Sequence, residues 1–387
     1  MSAKQLSNDG ADGRVLGKDQ MDINGALAQR FIAGLRNQQI IGTAPVPVLP
    51  IGLEDLFEVW ASDKRSESDL RMALHAPDPF IRAGALFTMA QRGKIDNALL
   101  HDKSSSEDWS ERLVAAITGA GMNLLNDHVH WVAICAWLAV NRLEGRAFFQ
   151  SWSSTLSLPP LVRNKKDGSI LALVPSGEFM MGDGLSPDCL QHRVLLDAFY
   201  IGVFSITNAQ YVDYRRATGK DIPPYRYLPR ENPVISVSWD DASNYAKWAE
   251  CMLPTEAQWE KAARGGGEFI YPWGNNYEET MYLHFNNRDN DSCSGTAVWQ
   301  HASAVSGYGT YQQAGNGGEW CSDWYSKDYY RMSSLRNPTG PTTGSQRVNR
   351  GGWWWRDADS DGRGAHRNAC VPVPCHSCIG LRLVHLL

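Results

Sequence analysis

The sequence predicts an α+β protein in two parts, an all-α N-terminal domain followed by a domain of short strands, helices and long ordered loops. Three observations carry this prediction. The chain has 387 residues, more than one ordinary core accommodates. Apolar residues before Trp152 follow helical spacing, whereas short runs rich in β-branched and aromatic residues follow Gly168. Beyond Gly267 glycine, asparagine and tryptophan dominate, as in a loop-rich domain whose tryptophans fill the core.

Charge and composition are those of a globular protein with no affinity for nucleic acid. The net charge is -5 at pH 7, and a nucleic-acid binder normally carries a basic excess. Residues 1–21 are polar and lack the apolar stretch of a secretion signal, and no apolar run is long enough to span a bilayer. We therefore expect a cytoplasmic protein without a membrane partner. The 8 cysteines are irregularly spaced, which does not predict a disulfide framework.

The N-terminal half is expected to comprise a flexible leader, residues 1–26, and a helical domain, residues 27–157. The pattern from residue 53 to 152 is helical throughout. Asp78 followed by Pro79 predicts a helix start, and Ser105 or Ser106 is expected to cap the next helix. The apolar face of that next helix comprises Trp109, Leu113, Ala116 and Ile117. Residues 158–168 are proline-led and basic, which favours a domain boundary there.

The C-terminal domain, residues 169–387, is expected to begin with strands. Residues 170–175 and 178–181 predict a strand pair, and residues 194–206 predict further strands. Helices are predicted at residues 208–218, 239–250 and 256–264. The first and third of these helices open with capping boxes, which are formed by Thr207 with Gln210 and by Thr255 with Gln258.

A series of short motifs runs through this domain. They are VPSGEFMMG at 174–182, DAFYI at 197–201, TNAQY at 207–211, PVISVSW at 233–239, LPTEAQWEKAARG at 253–265, YPWG at 271–274, GN at 315–316, EW at 319–320, RGG at 350–352 and GLR at 380–382. In these motifs and their order the domain resembles the formylglycine-generating enzymes, also called sulfatase-modifying factors. The resemblance implies a C-type-lectin-like fold.

The resemblance also implies a chemistry that this sequence lacks the residues to perform. In the family, two cysteines after the RGG motif carry out a copper-assisted, oxygen-dependent oxidation of a peptidyl cysteine. Here those two positions hold Arg356 and Asp361, and neither side chain is a thiolate ligand or a redox thiol. The later CxxC spacing of Cys375 and Cys378 invites a metal or redox interpretation, but too few companions supply the four ligands of a zinc site. We expect no catalysis and no required cofactor.

A second enzymatic branch of this fold uses non-haem iron held by three histidines. His128 and His130 lie two residues apart on an expected helix, so their side chains point to different faces. His75 and His101 fall near helix ends. We interpret these histidines as ordinary polar or capping residues, because a metal site needs convergent ligands. An oxidoreductase of either branch stays open as an alternative function, as does a structural adaptor.

The resemblance implies a structural calcium ion in the loop that contains the GN and EW motifs. The expected ligands are Gly315, Gly317 and Glu319, which suit an oxygen-only calcium site. A preceding asparagine of the family corresponds to Gln312 here, which departs from the pattern.

Residues 356–378 differ from the family-like segments on both sides of them. This segment contains no Lys, Glu, Gln, Met or Trp, and every residue in it can be encoded by a codon that ends in C. Random replacement of adenines in asparagine codons (AAC) produces this composition. In this respect the segment resembles the variable proteins of diversity-generating retroelements, whereas the simpler alternative is an ordinary divergent loop.

We therefore predict a hypervariable ligand-binding surface, formed by about residues 353–378 and directed at a protein ligand. Tryptophan and arginine at its start are residue types enriched at binding hot spots. The predicted ligand-binding residues are Trp353, Trp354, Trp355, Arg356, Asp357, Asp359, His366, Asn368, Ala369, Cys370, Val371, Pro374, His376, Ser377 and Cys378.

Overall fold

The computed structural model describes residues 49, 51–120, 124, 127–133, 135–136, 158–222, 229–266, 268–276, 295–352, 362–373 and 378–387. The predicted leader lies outside these residues. Within them, no helix combines the length and the apolar character that crossing a membrane requires.

Short helices form the first part of the described chain. Their bounds are α1 Leu56–Ala61, α2 Glu67–Ala73, α3 Pro79–Gln91, α4 Asn97–Ser104 and α5 Trp109–Ala115, and a π-helical turn follows at Ala116–Ala120. The predicted start of α3 is confirmed, because Asp78 Oδ1 accepts a hydrogen bond from Phe80 N (2.8 Å) and Pro79 lies in the first turn. The predicted apolar face of α5 is confirmed by the burial of Trp109, Leu113, Ala116 and Ile117.

The start of α5 differs from the prediction of a serine cap. Ser105 is the C-cap residue of α4, and the N-cap residue of α5 is Asp108. The Asp108 carboxylate makes no capping hydrogen bond, since it pairs with Arg82 and accepts a hydrogen bond from Tyr311 (3.2 Å). Tertiary contacts therefore take the place of the local cap.

The strands form three sheets. Their bounds are β1 Leu53–Asp55, β2 Leu161–Asn164, β3 Ile170–Val174, β4 Gly177–Met181, β5 His192–Leu196, β6 Phe199–Gly202, β7 Gly318–Trp324, β8 Arg347–Arg350, β9 Asn368–Cys370, β10 Ile379–Gly380 and β11 Val384–Leu386. The sheets have the orders β1-β2-β3-β6-β11, β10-β7-β8-β9 and β4-β5. The β10–β7 pair is parallel. Helices on and between these sheets make the α+β architecture that the sequence predicts.

The predicted strand pair at residues 170–181 was wrong in its pairing. Both strands exist, but β3 pairs with β2 and β6 whereas β4 pairs with β5. The chain changes sheets at the intervening turn, where the buried Lys261 ammonium donates hydrogen bonds to the carbonyl oxygens of Pro175 (2.8 Å) and Gly177 (3.0 Å). This contact comes from a helix distant in sequence, which a local pattern does not reveal.

Residues within the predicted domain boundary, 158–168, take part in the five-stranded sheet. Residues 161–164 form β2 and residues 53–55 form β1, so the residues expected to be a linker and the start of an all-helical domain instead supply two strands of the five-stranded sheet. Leu161 and Val162 are fully buried. Backbone pairing and apolar burial outweigh the proline and the charges that suggested a linker.

Three helices cover the second part of the chain. They are α6 Asn208–Ala217, α7 Trp239–Trp248 and α8 Glu256–Arg264. The predicted capping boxes of α6 and α8 are both present. Gly265 follows α8 with a φ of +62°, the left-handed region that glycine adopts without strain.

The helical part shares one continuous core with the five-stranded sheet and the β4–β5 pair. Trp109 Nε1 donates a hydrogen bond to the Gly309 carbonyl oxygen (3.1 Å), and Trp131 Nε1 donates one to the Leu173 carbonyl oxygen (2.9 Å). Both indole rings are fully buried. The tryptophans therefore fill the core, as predicted, and they join the two parts of the chain.

Candidate functional site

The described part of the variable segment, residues 362–373 and 378, lies along the edge of the four-stranded sheet. β9 is the outermost strand of that sheet and pairs with β8 through Arg347 with Cys370, Val348 with Ala369 and Asn349 with Asn368. An edge strand leaves one side of its backbone available to solvent or to a partner.

Arg350, in the RGG motif, holds the turn that precedes β9. Its guanidinium is fully buried and pairs with Glu256 (3.1 Å) and Glu260 (2.6 Å) of α8. The same group donates hydrogen bonds to the carbonyl oxygens of Gly364 (2.9 Å) and Ala365 (3.2 Å). The turn is therefore tied to the core through its backbone, independently of the identity of the neighbouring side chains.

Arg367 forms a second anchor inside the variable segment. Its side chain binds both oxygens of the Glu256 carboxylate (2.7 and 2.9 Å) and donates a hydrogen bond to the Asp188 carbonyl oxygen (2.6 Å). Its guanidinium lies 4.0 Å from the centre of the Tyr330 ring. The two arginines keep Glu256 ionised, because their charges hold the pKa of this buried carboxyl below its usual value against the effect of desolvation.

Burial varies along the described part of the variable segment, in which Val373, not predicted to vary, is also exposed. Gly362, Gly364, Ala365 and Arg367, which were not predicted to vary, are buried. The predicted residues His366, Asn368, Ala369 and Cys370 are half-buried, and Val371 is 44% exposed.

One predicted ligand-binding residue was wrong. Cys378 is fully buried directly before β10, and its carbonyl oxygen accepts a hydrogen bond from Gly318 N (2.9 Å). Its side chain belongs to the core, because the chain re-enters the sheet at this point. The other predicted residues lie outside the described part of the chain, and they are Trp353, Trp354, Trp355, Arg356, Asp357, Asp359, Pro374, His376 and Ser377.

Sequence reasoning missed a stack of three side chains beside β9. The Arg347 guanidinium lies between the rings of Trp239 (3.7 Å to the centroid) and Trp324 (3.5 Å). All three side chains are half-buried, and Trp239 N donates a hydrogen bond to the Pro372 carbonyl oxygen (3.3 Å). We call Trp239, Arg347 and Trp324 the aromatic clamp. Its residues are far apart in sequence, so no local motif indicates it.

The expected calcium ligands do not fit a cation site. Both oxygens of the buried Glu319 carboxylate accept hydrogen bonds from Arg382 (2.8 and 2.9 Å), and one accepts a further bond from Trp259 Nε1 (2.7 Å). Gly315 N donates to the Gly351 carbonyl oxygen (2.7 Å), which ties this loop to the RGG motif. Glu319 therefore serves as the buried counter-ion of Arg382.

The described histidines and thiols show no convergent ligand set. Within the described ranges, no group of three or more His, Cys, Asp or Glu side chains is placed to hold a metal ion. His130 is buried and its Nε2 accepts a hydrogen bond from Gly266 N (3.1 Å), while burial lowers its pKa to about 4. Burial also raises the pKa of the Cys189 and Cys251 thiols to about 12.

Asp323, close to Arg350 and Arg367, leads to a prediction about how the stability of the protein depends on pH. Burial, and next the charge of Glu256, raise the pKa of this carboxyl to about 7 from 3.8. A raised folded-state pKa means that the folded protein binds the proton more tightly than the unfolded chain does. The Asp323 contribution to stability is therefore greatest below pH 4 and is lost as the pH rises towards 7.

We expect the change in the free energy of unfolding caused by Asp323→Asn to be more favourable at pH 8 than at pH 4. Half of the pKa shift of Asp323 already corresponds to a difference of about 2 kcal/mol in the free energy of unfolding. The asparagine oxygen can still accept the hydrogen bond that Asp323 receives from Glu256 N (2.9 Å). Urea denaturation of both proteins at the two pH values measures the difference. An equal effect of the substitution at pH 4 and pH 8 would show that folding does not raise the pKa of Asp323.

Comparison with known proteins identifies the domain. Residues 159–387 match the Sulfatase-modifying factor enzyme 1-like domain. The chain belongs to the sulfatase-modifying factor family. The formylglycine-generating enzyme of Thermomonospora curvata is 32% identical over 250 residues, which cover 47% of this chain and 81% of that enzyme.

Other similar proteins extend the comparison of the sulfatase-modifying factor domain. Serine/threonine-protein kinase pkn1 of Chlamydia pneumoniae is 34% identical over 238 residues, 55% of this chain, but the chain spans only 37% of that protein's length. PvdO from Pseudomonas aeruginosa shares the fold, with a TM-score of 0.50, 24% identity and coverage of 59% of this chain and 98% of PvdO. Treponema denticola variable protein 1 has a TM-score of 0.49 and 24% identity, over 56% of this chain and 94% of that chain. Family membership confirms the C-type-lectin-like fold.

Proposed function

We propose that this protein binds a protein ligand, without catalysis, through a hypervariable surface diversified by a retroelement. The observation that carries the proposal is the composition of residues 356–378, which lack Lys, Glu, Gln, Met and Trp between two family-like segments. Substitution of adenines in AAC codons accounts for all of these absences at once, since none of the five amino acids has a codon that ends in C.

The distribution of burial supports this proposal. Arg350 and Arg367 hold the segment with buried contacts, whereas Asn368, the first residue of β9, is half-buried and Val371, directly after β9, is exposed. Surface substitutions away from buried contacts usually change stability by about 0.5 kcal/mol or less. A segment held in this way tolerates many sequences without unfolding.

The chemistry of the face favours a protein as the ligand. The aromatic clamp places two tryptophans and an arginine beside β9, and tryptophan and arginine are enriched in the energetically dominant contacts of protein interfaces. These fixed residues would supply affinity, while the varied positions set specificity.

We also propose a cytoplasmic location. The thiols of Cys135, Cys189 and Cys251 are buried and form no disulfide bonds, which suits a reducing compartment.

Sequencing the 3′ end of the gene, with its neighbourhood, from many cells of the source population tests the proposal. We expect substitutions confined to the codons between Arg350 and Ile379, at positions that exclude Arg367. A near-copy of the segment with adenines at those positions, beside a reverse transcriptase, is also expected. An invariant segment with no such copy would remove the basis of the proposal.

A second candidate, oxidation of a peptidyl cysteine, is favoured by the 32% identity to a formylglycine-generating enzyme. Against it, the two positions that hold the family's cysteines carry Arg356 and Asp361, which lie outside the described residues. Oxygen uptake with copper and a cysteine-containing peptide separates the two functions. We expect no uptake above that of copper alone, and enzymatic uptake would establish the oxidoreductase instead.

A further inference from the structure

A cavity of about 520 Å³ lies between the β5–β6 turn, α7, the segment that leads to α8, and the end of β11. Its inner wall is apolar and contains the buried side chains of Leu196, Ala246 and Leu253. Pockets for small ligands commonly have about 300–1,000 Å³ and a mostly apolar lining. The size and the lining therefore fit a small molecule with a hydrocarbon body.

Three large apolar side chains stand exposed at the rim of this cavity. Met252, Leu386 and Leu387 are 45%, 47% and 50% exposed. Singly exposed apolar residues are ordinary, but a group of them around a concave apolar wall marks a binding site. An occupant would bury these three side chains together with the wall.

The polar side chains around the cavity indicate which head group its ligand carries. The Asp197 carboxylate is occupied, because it accepts hydrogen bonds from Arg336 Nη2 (2.7 Å) and Asn337 Nδ2 (2.7 Å). Gln258 is engaged in the capping box of α8. Lys247 is exposed at the cavity, and in the part of the chain that the structure describes its ammonium has no carboxylate within ion-pair distance.

We propose that this cavity binds a monocarboxylate with an alkyl chain, the carboxylate at Lys247 and the chain against the apolar wall. This inference rests on the cavity alone, so it is independent of the proposed recognition by residues 353–378. It adds a small-molecule site that shares Trp239 with the aromatic clamp.

Titration of the full chain with decanoate, followed by tryptophan fluorescence, tests the site because Trp239 lines the cavity. We expect saturable binding, and we expect octanoate to bind about tenfold more weakly, since each buried methylene adds about 0.8 kcal/mol. Decyltrimethylammonium, which carries the opposite charge, is expected to bind more weakly than decanoate. Equal affinity for the two ions would overturn the assignment of Lys247 to the head group.

Two variants complete the test. Lys247→Gln is expected to weaken decanoate about fivefold, the range of a solvent-exposed ion pair, and to leave decanol unchanged. Lys327→Gln, at an exposed lysine outside the cavity lining, is the matched control and should leave both affinities unchanged. Met252→Asp should abolish the binding of both ligands. Absence of saturable decanoate binding, or concentration-dependent dimerisation that Met252→Asp disrupts, would show that the apolar rim serves another occupant.

Discussion

Replacing Gly309 by alanine is expected to lower the free energy of unfolding by about 3 kcal/mol. Gly309 has a φ of +80°, and a Cβ atom there would lie 2.5 Å from Cζ2 of the Trp109 ring. Trp109 is fully buried, so its ring cannot move aside without disturbing the shared core. Urea denaturation followed by circular dichroism measures the loss.

Gly184→Ala is the matched control. Gly184 has a similar φ of +73°, but no heavy atom lies within 4 Å of the added Cβ. This variant reports the backbone strain alone, at about 1 kcal/mol. In a Trp109→Ala background the Gly309 substitution should likewise cost only the strain, because the clash has been removed. Equal losses for the two glycine variants in the native background would mean that the Trp109 ring yields freely.

The result of these substitutions also bears on whether the helical part and the sulfatase-modifying factor domain unfold separately. Trp109 lies in the helical part and Gly309 lies in the sulfatase-modifying factor domain, and the indole N–H is bonded to the glycine carbonyl. If this contact is strong, both parts should unfold in a single transition, and a fragment starting at residue 159 should be unstable because it exposes its side of the core. Length and composition predict two domains, and the shared packing predicts that they unfold together.

Local signals explain which elements the sequence predicted well. The capping boxes of α6 and α8 involve residues three apart, so the sequence alone specifies both helix starts. The pairing of β1 with β2 joins residues more than a hundred positions apart, and nothing in either short segment names its partner. The same reason accounts for the wrong pairing of β3 with β4.

The same contrast between local signals and distant contacts applies to the candidate functional site. The RGG and GLR motifs located the frame, and the composition between them indicated the segment of interest. The anchoring role of Arg367 could not be read locally, because it depends on Glu256, a residue that packing brings to it from α8. One signal was available, since Glu260 has Arg264 one turn further along α8 as an ion-pair partner, whereas Glu256 has Glu260 at that spacing and requires a counter-ion from elsewhere when it is buried.

Arg367→Met is expected to lower the free energy of unfolding by about 3 kcal/mol, the usual consequence of removing one partner from a buried ion pair. Arg367 is 7% exposed and supplies two of the bonds to Glu256. Glu256→Gln should cost a similar amount, and the double variant should cost less than the sum because both changes remove the same interaction. Chemical denaturation of the four proteins completes the cycle.

Val371→Ser provides the contrast within the same segment. Val371 is 44% exposed, so this change should alter stability by about 0.5 kcal/mol or less. A large difference between the substitutions at 367 and 371 is what a display surface requires, because diversification can then act beside the anchor without unfolding the protein. Comparable losses at both positions would mean that the whole segment is structural. Such a segment could not vary freely, and the adaptor function would then be favoured over recognition by a hypervariable surface.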